Sequence, residues 1–102
     1  MTMKGTGKAV ALSDEQFHAI ARALADPRRF AIFQQIAAAD STPCSALNEH
    51  DVISPATISH HLKELGEAGL IEMKREGRSA SLSPCRPVFQ AYVNRLAALA
   101  PK

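Results

Sequence analysis

No apolar run in this sequence approaches the roughly 18 residues that a membrane span requires, and the apolar stretch within the first 11 residues is too short for a secretion signal. No membrane partner is therefore expected, and the chain is expected to be cytoplasmic. Cysteine is sparse. Cys44 and Cys85 stand forty-one residues apart, which fits neither a dense disulfide framework nor a CxxC metal or redox pair. The chain has no glycine-rich phosphate loop, no GxSxG and no HExxH, and its acids are spread along solvated helix faces rather than paired beside a histidine. An enzyme is not expected. Charge of one sign is also lacking: the net charge is only +2, so any binding of a polyanion must come from where the cations sit.

What is present is ordinary globular material. The 102 residues are 46% apolar and 22% charged, enough for one domain with a small core, and a chain of this size often gains stability from a second copy. Residues 1–12, with Gly5, Gly7 and two lysines, lack sustained periodicity and read as a flexible arm; residues 13–102 read as the folded domain.

Capping signals divide that domain. Ser13 reads as a helix N-cap, with Asp14 and Glu15 at the positive end of the dipole and Phe17, Ile20, Ala21 and Leu24 forming one apolar stripe to about Ala25. Asp26-Pro27 restarts a helix through about Ala39, whose apolar residues cover more than one face. A short helical piece is expected over about Cys44 to Glu49. Ser54-Pro55 repeats the cap-plus-proline signal, and Ile58, Leu62 and Leu65 then fall within about 60° on a helical wheel, with His61 at its margin. Gly69 is the expected left-handed stop.

Beyond Gly69 the period changes to two. Ile71 and Met73 alternate with Glu72 and Lys74, and Ala80 and Leu82 alternate with serines, around a turn at "REGR". A β-hairpin with a cationic tip is expected. A last helix, from the Pro84/Pro87 pair to about Leu99, carries two stripes: Phe89, Val93 and Leu96, and about 80° away Val88, Tyr92 and Leu99. Two stripes on one terminal helix ask for a partner.

The expected fold is mainly α with a small β-hairpin: five helices plus a two-stranded wing, a winged helix-turn-helix, homodimeric. In such a unit the second helix enters the DNA major groove. Ser54, Ala56, Thr57 and Ser59 are small or hydroxyl-bearing and permit close approach, His60 and Lys63 lie one turn on, and Lys74, Arg75 and Arg78 supply cations on the wing. His61, at the apolar edge, reads as a packed histidine. The competing class is a winged-helix protein-interaction module that does not use DNA, which the modest charge allows.

The stretches "ALADPRRFAIFQQI", "ISPATISHHLKELGEAGLI" and "KREGRSASLSP" resemble the ArsR (ArsR/SmtB) family of bacterial winged-helix repressors over about Leu24 to Leu99. The specific part is an SxxxxSxHLxxLxxAGL pattern met by Ser54, Ser59, His61, Leu62, Leu65, Ala68, Gly69 and Leu70. The resemblance implies a dimeric repressor on a dyad-symmetric operator in double-stranded DNA, with the 54–67 helix in the major groove and the 71–83 wing on the flanking backbone or minor groove. It implies a dimer built from the first and last helices, which points to Phe17, Val88, Tyr92, Leu96 and Leu99.

The family's metal sites are not matched. Its thiol cluster, on the helix before the reading helix, is represented by Cys44 alone. Its site of Asp, His and Glu side chains on the last helix meets Pro87, Gln90 and Asn94. His18, His50 and Asp51 are scattered. No metal, cofactor or obligatory small molecule is expected; thiol redox or metalloid sensing through Cys44 and Cys85 is the alternative inducer mode, and a bridge would need Cα atoms within about 7 Å.

Overall fold

The computed structural model of the protein describes residues 10–49 and 54–100. In chain order it has α1 (Asp14–Ala25), α2 (Pro27–Ala37), β1 (Thr42–Pro43), a 3-10 helix (Cys44–Glu49), α3 (Pro55–Glu67), β2 (Ile71–Glu76), β3 (Ser79–Pro84) and α4 (Arg86–Ala97). The residues expected to form the arm lie outside the described part up to residue 9.

The expectation of five helices and a two-stranded wing needs correction. Among the described residues there are four α-helices, and the short piece before α3 is 3-10 rather than α. The sheet has three antiparallel strands in the order β1-β3-β2. Thr42 faces Leu82 and Pro43 faces Ser81. A two-residue strand containing proline has no period to read, and only the wing's inner strand gives it a partner.

The caps act as their residue types dictate. Ser13 Oγ accepts from the Gln16 N–H at 3.0 Å. Asp26 Oδ1 accepts from the backbone N–H of Arg28 at 2.9 Å and of Arg29 at 3.1 Å. Those two bonds, that of Arg29 foremost, hold its carboxyl below the usual carboxylate range. α3 ends in a Schellman motif: Leu70 N–H donates to Leu65 O and Gly69 N–H to Gly66 O, each at 3.0 Å, with Gly69 at φ +85°. Leu65 and Leu70, the pair that accompanies this motif, are both fully buried.

The core joins all elements. Ile20 of α1, Ile32 and Ile36 of α2, Leu47 of the 3-10 helix, Leu65 of α3, Leu82 of β3, and Leu70 between α3 and β2 have no exposed surface. Burial of each such side chain is worth about 1.5–3 kcal/mol. α4 closes the domain by stacking: the Phe89 ring lies 5.3 Å from Phe33, and Tyr92 lies 5.1 Å from Phe17. Arg95 caps this contact, with its guanidinium carbon 4.2 Å from the Phe17 ring centre and its Nη2 on Asp14. The first and last helices are therefore locked together within one chain.

Candidate nucleic-acid interface

α3 begins at a self-contained cap. Ser54 Oγ accepts the Thr57 N–H at 3.2 Å and donates its own hydrogen to Thr57 Oγ1 at 3.0 Å. The first turn carries no acidic residue; with Pro55 lacking an N–H and those of Thr57 and Ile58 both on Ser54, Ala56 is the first-turn residue whose N–H can meet an anion. Ser54, Ala56, Ser59, His60 and Lys63 are exposed and Thr57 is half-buried. On the other face Ile58, His61, Leu62 and Leu65 are buried. Every residue proposed to read DNA from this helix thus lies away from the core. Lys63 makes a 3.8 Å pair with Glu67, which stays mostly exposed and is easily opened.

The orientation of α3 depends on a contact absent from the sequence pattern. Arg29, in the first turn of α2, donates from Nε to Ala23 O at 2.7 Å and approaches His61 Nδ1 with Nη1 at 3.3 Å. A guanidinium can only donate, so Nδ1 accepts and the imidazole proton sits on Nε2. His61 is indeed packed, but its partner is a side chain on another helix. Its Nε2 finds no partner among the described residues. Burial, as the leading cause, pushes the His61 pKa down; Arg29, His60 and Arg28 act in the same direction and Asp26 opposes them. One arginine therefore ties the exit of α1 to α3. The sequence signal was there in Arg29 and His61, but their pairing is a tertiary fact.

The wing divides its cations between two faces. Arg75 was grouped with the turn, but the turn is only Gly77-Arg78, opened by Gly77 at φ +64°, and Arg75 belongs to β2 opposite Ala80. Alternation then puts Arg75 with Ile71 and Met73 on the side that faces α3, and Lys74 on the other, where it lies 3.7 Å from Glu76. Arg75 and Arg78 line one cleft with Ser59 of α3, a hollow of about 420 Å³ whose wall also includes Cys44. Ser59, on the exposed side of α3, is thereby joined to two of the three wing cations. Met73, 48% exposed at the same cleft, escaped notice as a surface residue.

The two thiols are not bridged. Both are free and half-buried, Cys44 at the cleft and Cys85 at the start of α4, where its N–H donates to Leu70 O. Burial, with a smaller contribution from the Glu72 charge, pushes the Cys85 thiol up, which lowers its thiolate content and its reactivity. Among the described residues no group of three His, Cys, Asp or Glu side chains could hold a metal ion. His50 and Asp51 lie outside the described residues. No helix among them is long and apolar enough to cross a membrane.

The five residues expected at a dimer face separate into two sets. Phe17, Val88 and Tyr92 are engaged by the chain's own core, whereas Leu96 and Leu99 are exposed. Val93 and Phe30 are also exposed and were not among the five.

Residues 24–74, spanning α3 and the first part of the wing, match the helix-turn-helix domain family. The chain is 34% identical over 83 residues to the HTH-type transcriptional regulator YceK of Bacillus subtilis, covering 79% of this chain and 83% of that one. A crystal structure of an ArsR family transcriptional regulator superposes with a TM-score of 0.76 at 26% identity, covering 88% of this chain and 92% of that one. The chain belongs to the ArsR family. Further likeness of fold is seen with a Mycobacterium bovis fragment described as a homodimeric winged helix-turn-helix DNA-binding domain, with a TM-score of 0.66 at 24% identity, covering 91% of this chain and 94% of that one. As an ArsR family member the protein is a transcriptional regulator whose fold is a helix-turn-helix with an antiparallel wing.

Proposed function

We propose that this ArsR family regulator is a dimeric repressor that binds a dyad-symmetric operator, with α3 in the major groove and the wing on the flanking backbone or minor groove. The observation that carries this reading is the continuity of the exposed, acid-free start of α3 with Arg75 and Arg78 across a single cleft. Thr57, Ser59 and His60 supply the groups that meet base edges. Lys63, Arg75 and Arg78 neutralise phosphates, and the Ala56 N–H in the first turn of α3 adds one further donor to them.

Pairing of two copies follows from α4. Val93, Leu96 and Leu99 remain exposed on or just beyond that helix after the chain's own core is filled, and apolar surface of this kind is suited to a second copy. The homodimeric description of the Mycobacterium bovis relative supports the same arrangement. Two-fold symmetry would set the two reading helices about 34 Å apart, one turn of DNA.

The test is a fluorescence anisotropy titration of the full chain against a labelled duplex from its own upstream region and a shuffled duplex of the same composition. A repressor binds the first about 10³-fold or more tightly. Equal affinity for both duplexes at moderate salt would sink the proposal and favour a protein-interaction module.

A further inference from the structure

The cleft between α3 and the wing has an apolar floor that recognition of DNA does not use. On β2 the residues that face α3 run outward from the core as Ile71, Met73 and Arg75. Ile71 is buried, but Met73 keeps 48% of its surface exposed, where a strand leaving the core would ordinarily turn polar. Ile58 and Leu62 of α3 form the opposing wall. A second hollow, of about 390 Å³, runs on along Leu62 and Gly66 and shares Met73 with the first. The cleft of about 420 Å³ lies within the range of small-molecule sites, roughly 300–1,000 Å³.

The rim carries the second half of the evidence. Lys63 and Lys74 each have a carboxylate neighbour, Glu67 and Glu76. Arg75 and Arg78 have none among the described residues, and both stand over the apolar floor with the Ser59 hydroxyl beside them. A phosphate backbone would be served by these two guanidinium groups but gains nothing from Ile58, Leu62 and Met73. An apolar body with one acidic head uses both, since a carboxylate can be held by an arginine fork while the body displaces water from the floor.

We infer that the cleft is a binding site for a small amphipathic anion, a molecule with an aliphatic or aromatic body and a single carboxylate or sulfonate head. Because Ser59, Arg75 and Arg78 also belong to the DNA-facing surface, occupancy and DNA binding exclude each other, and the ligand releases the operator. This last step rests on the proposed DNA reading. Occupancy of the cleft does not.

The experiment follows backbone amide resonances of the full chain during titration with octanoate, and in parallel with octan-1-ol and octylammonium. Octanoate should give saturable shifts confined to residues 43–45, 58–62 and 73–80, with the alcohol and the amine at least about tenfold weaker. Met73→Gln and Arg75→Gln, both at exposed positions, should each weaken octanoate about fivefold to tenfold while leaving resonances elsewhere unchanged. Absence of saturation, shifts centred elsewhere, or equal affinity for the three head groups would overturn the site. In a second arm octanoate should displace a labelled duplex from the unmodified chain, and about fivefold to tenfold more of it should be needed to displace the duplex from Met73→Gln. Simultaneous binding of octanoate and duplex overturns the release step alone, and failure of any duplex to bind overturns the DNA reading while the amide shifts still decide occupancy.

Discussion

Gly69 sits where α3 hands over to the wing, and replacing it by alanine tests how that joint is built. Its φ of +85° lies in the left-handed region, where a Cβ costs roughly 1–2 kcal/mol. The added carbon would also meet Gln16 Nε2 at 2.6 Å. Gln16 can withdraw, since it is the far end of a flexible side chain, but it then gives up its 3.2 Å bond to Ala68 O, worth about 1 kcal/mol. The lower entropy of the unfolded alanine chain returns about 0.5 kcal/mol. Gly69→Ala should therefore destabilise the fold by about 1.5–2.5 kcal/mol, measured as a lowered urea midpoint at constant m. In a Gln16→Ala background only the backbone contribution remains, so the same substitution should cost about 1 kcal/mol less. An equal loss in both backgrounds would refute the role given to Gln16, and a loss below about 0.5 kcal/mol would refute the left-handed cap itself.

Further outcomes follow from the same contacts. His61 is held neutral, with its pKa below the ordinary value of 6.5, so its contribution to stability is complete above pH 6.5. It should decline as pH falls below that point, because the unfolded chain takes up a proton that the folded one resists; urea midpoints between pH 8 and pH 5 should show the decline, and His61→Gln should flatten it. Ser54→Ala removes both the cap of Thr57 N–H and the donor to its hydroxyl, an expected loss of about 1 kcal/mol in thermal unfolding. Leu65→Ala, at a fully buried position, should cost about 2–5 kcal/mol, and a smaller value would mean that the core collapses around the gap. Arg78→Ala should weaken binding to every duplex alike and reduce the slope of log K against log salt by about 1, which titrations at several salt concentrations will show.

Local signals were readable in the residues, and long-range ones were not. Ser13, Asp26 and Ser54 each announce a helix start through the hydroxyl or carboxylate that they lend to a backbone N–H, and each makes that bond. Gly69 announces its own backbone angle. The wing strands follow from alternation, which placed Ile71, Met73, Ala80 and Leu82 on one side. Sequence alone could not show that β1 would attach to Leu82, that Arg29 would reach His61, or that Arg86 would reach back to Ala37 O and Ala39 O. These contacts join residues some thirty to fifty positions apart, and their geometry exists only once the core has set the distances between helices. The stripes on α4 illustrate the same limit, because periodicity shows that Tyr92 is apolar-facing but not whether Phe17 of the same chain or a second copy covers it.

The hydroxyl pair at the start of α3 has a direction. Ser54 spends its hydrogen on Thr57 Oγ1, and this leaves the Thr57 hydroxyl with a hydrogen to offer outward. Together with the Ala56 N–H beside it, this turns donors outward from the first turn of α3. Such a surface favours phosphate oxygens and the O6 and N7 atoms of guanine over the exocyclic amines of cytosine or adenine, which only the remaining hydroxyl lone pairs can meet. A serine and a threonine three residues apart thus impose a chemical sign on what the helix can meet, before any base is read.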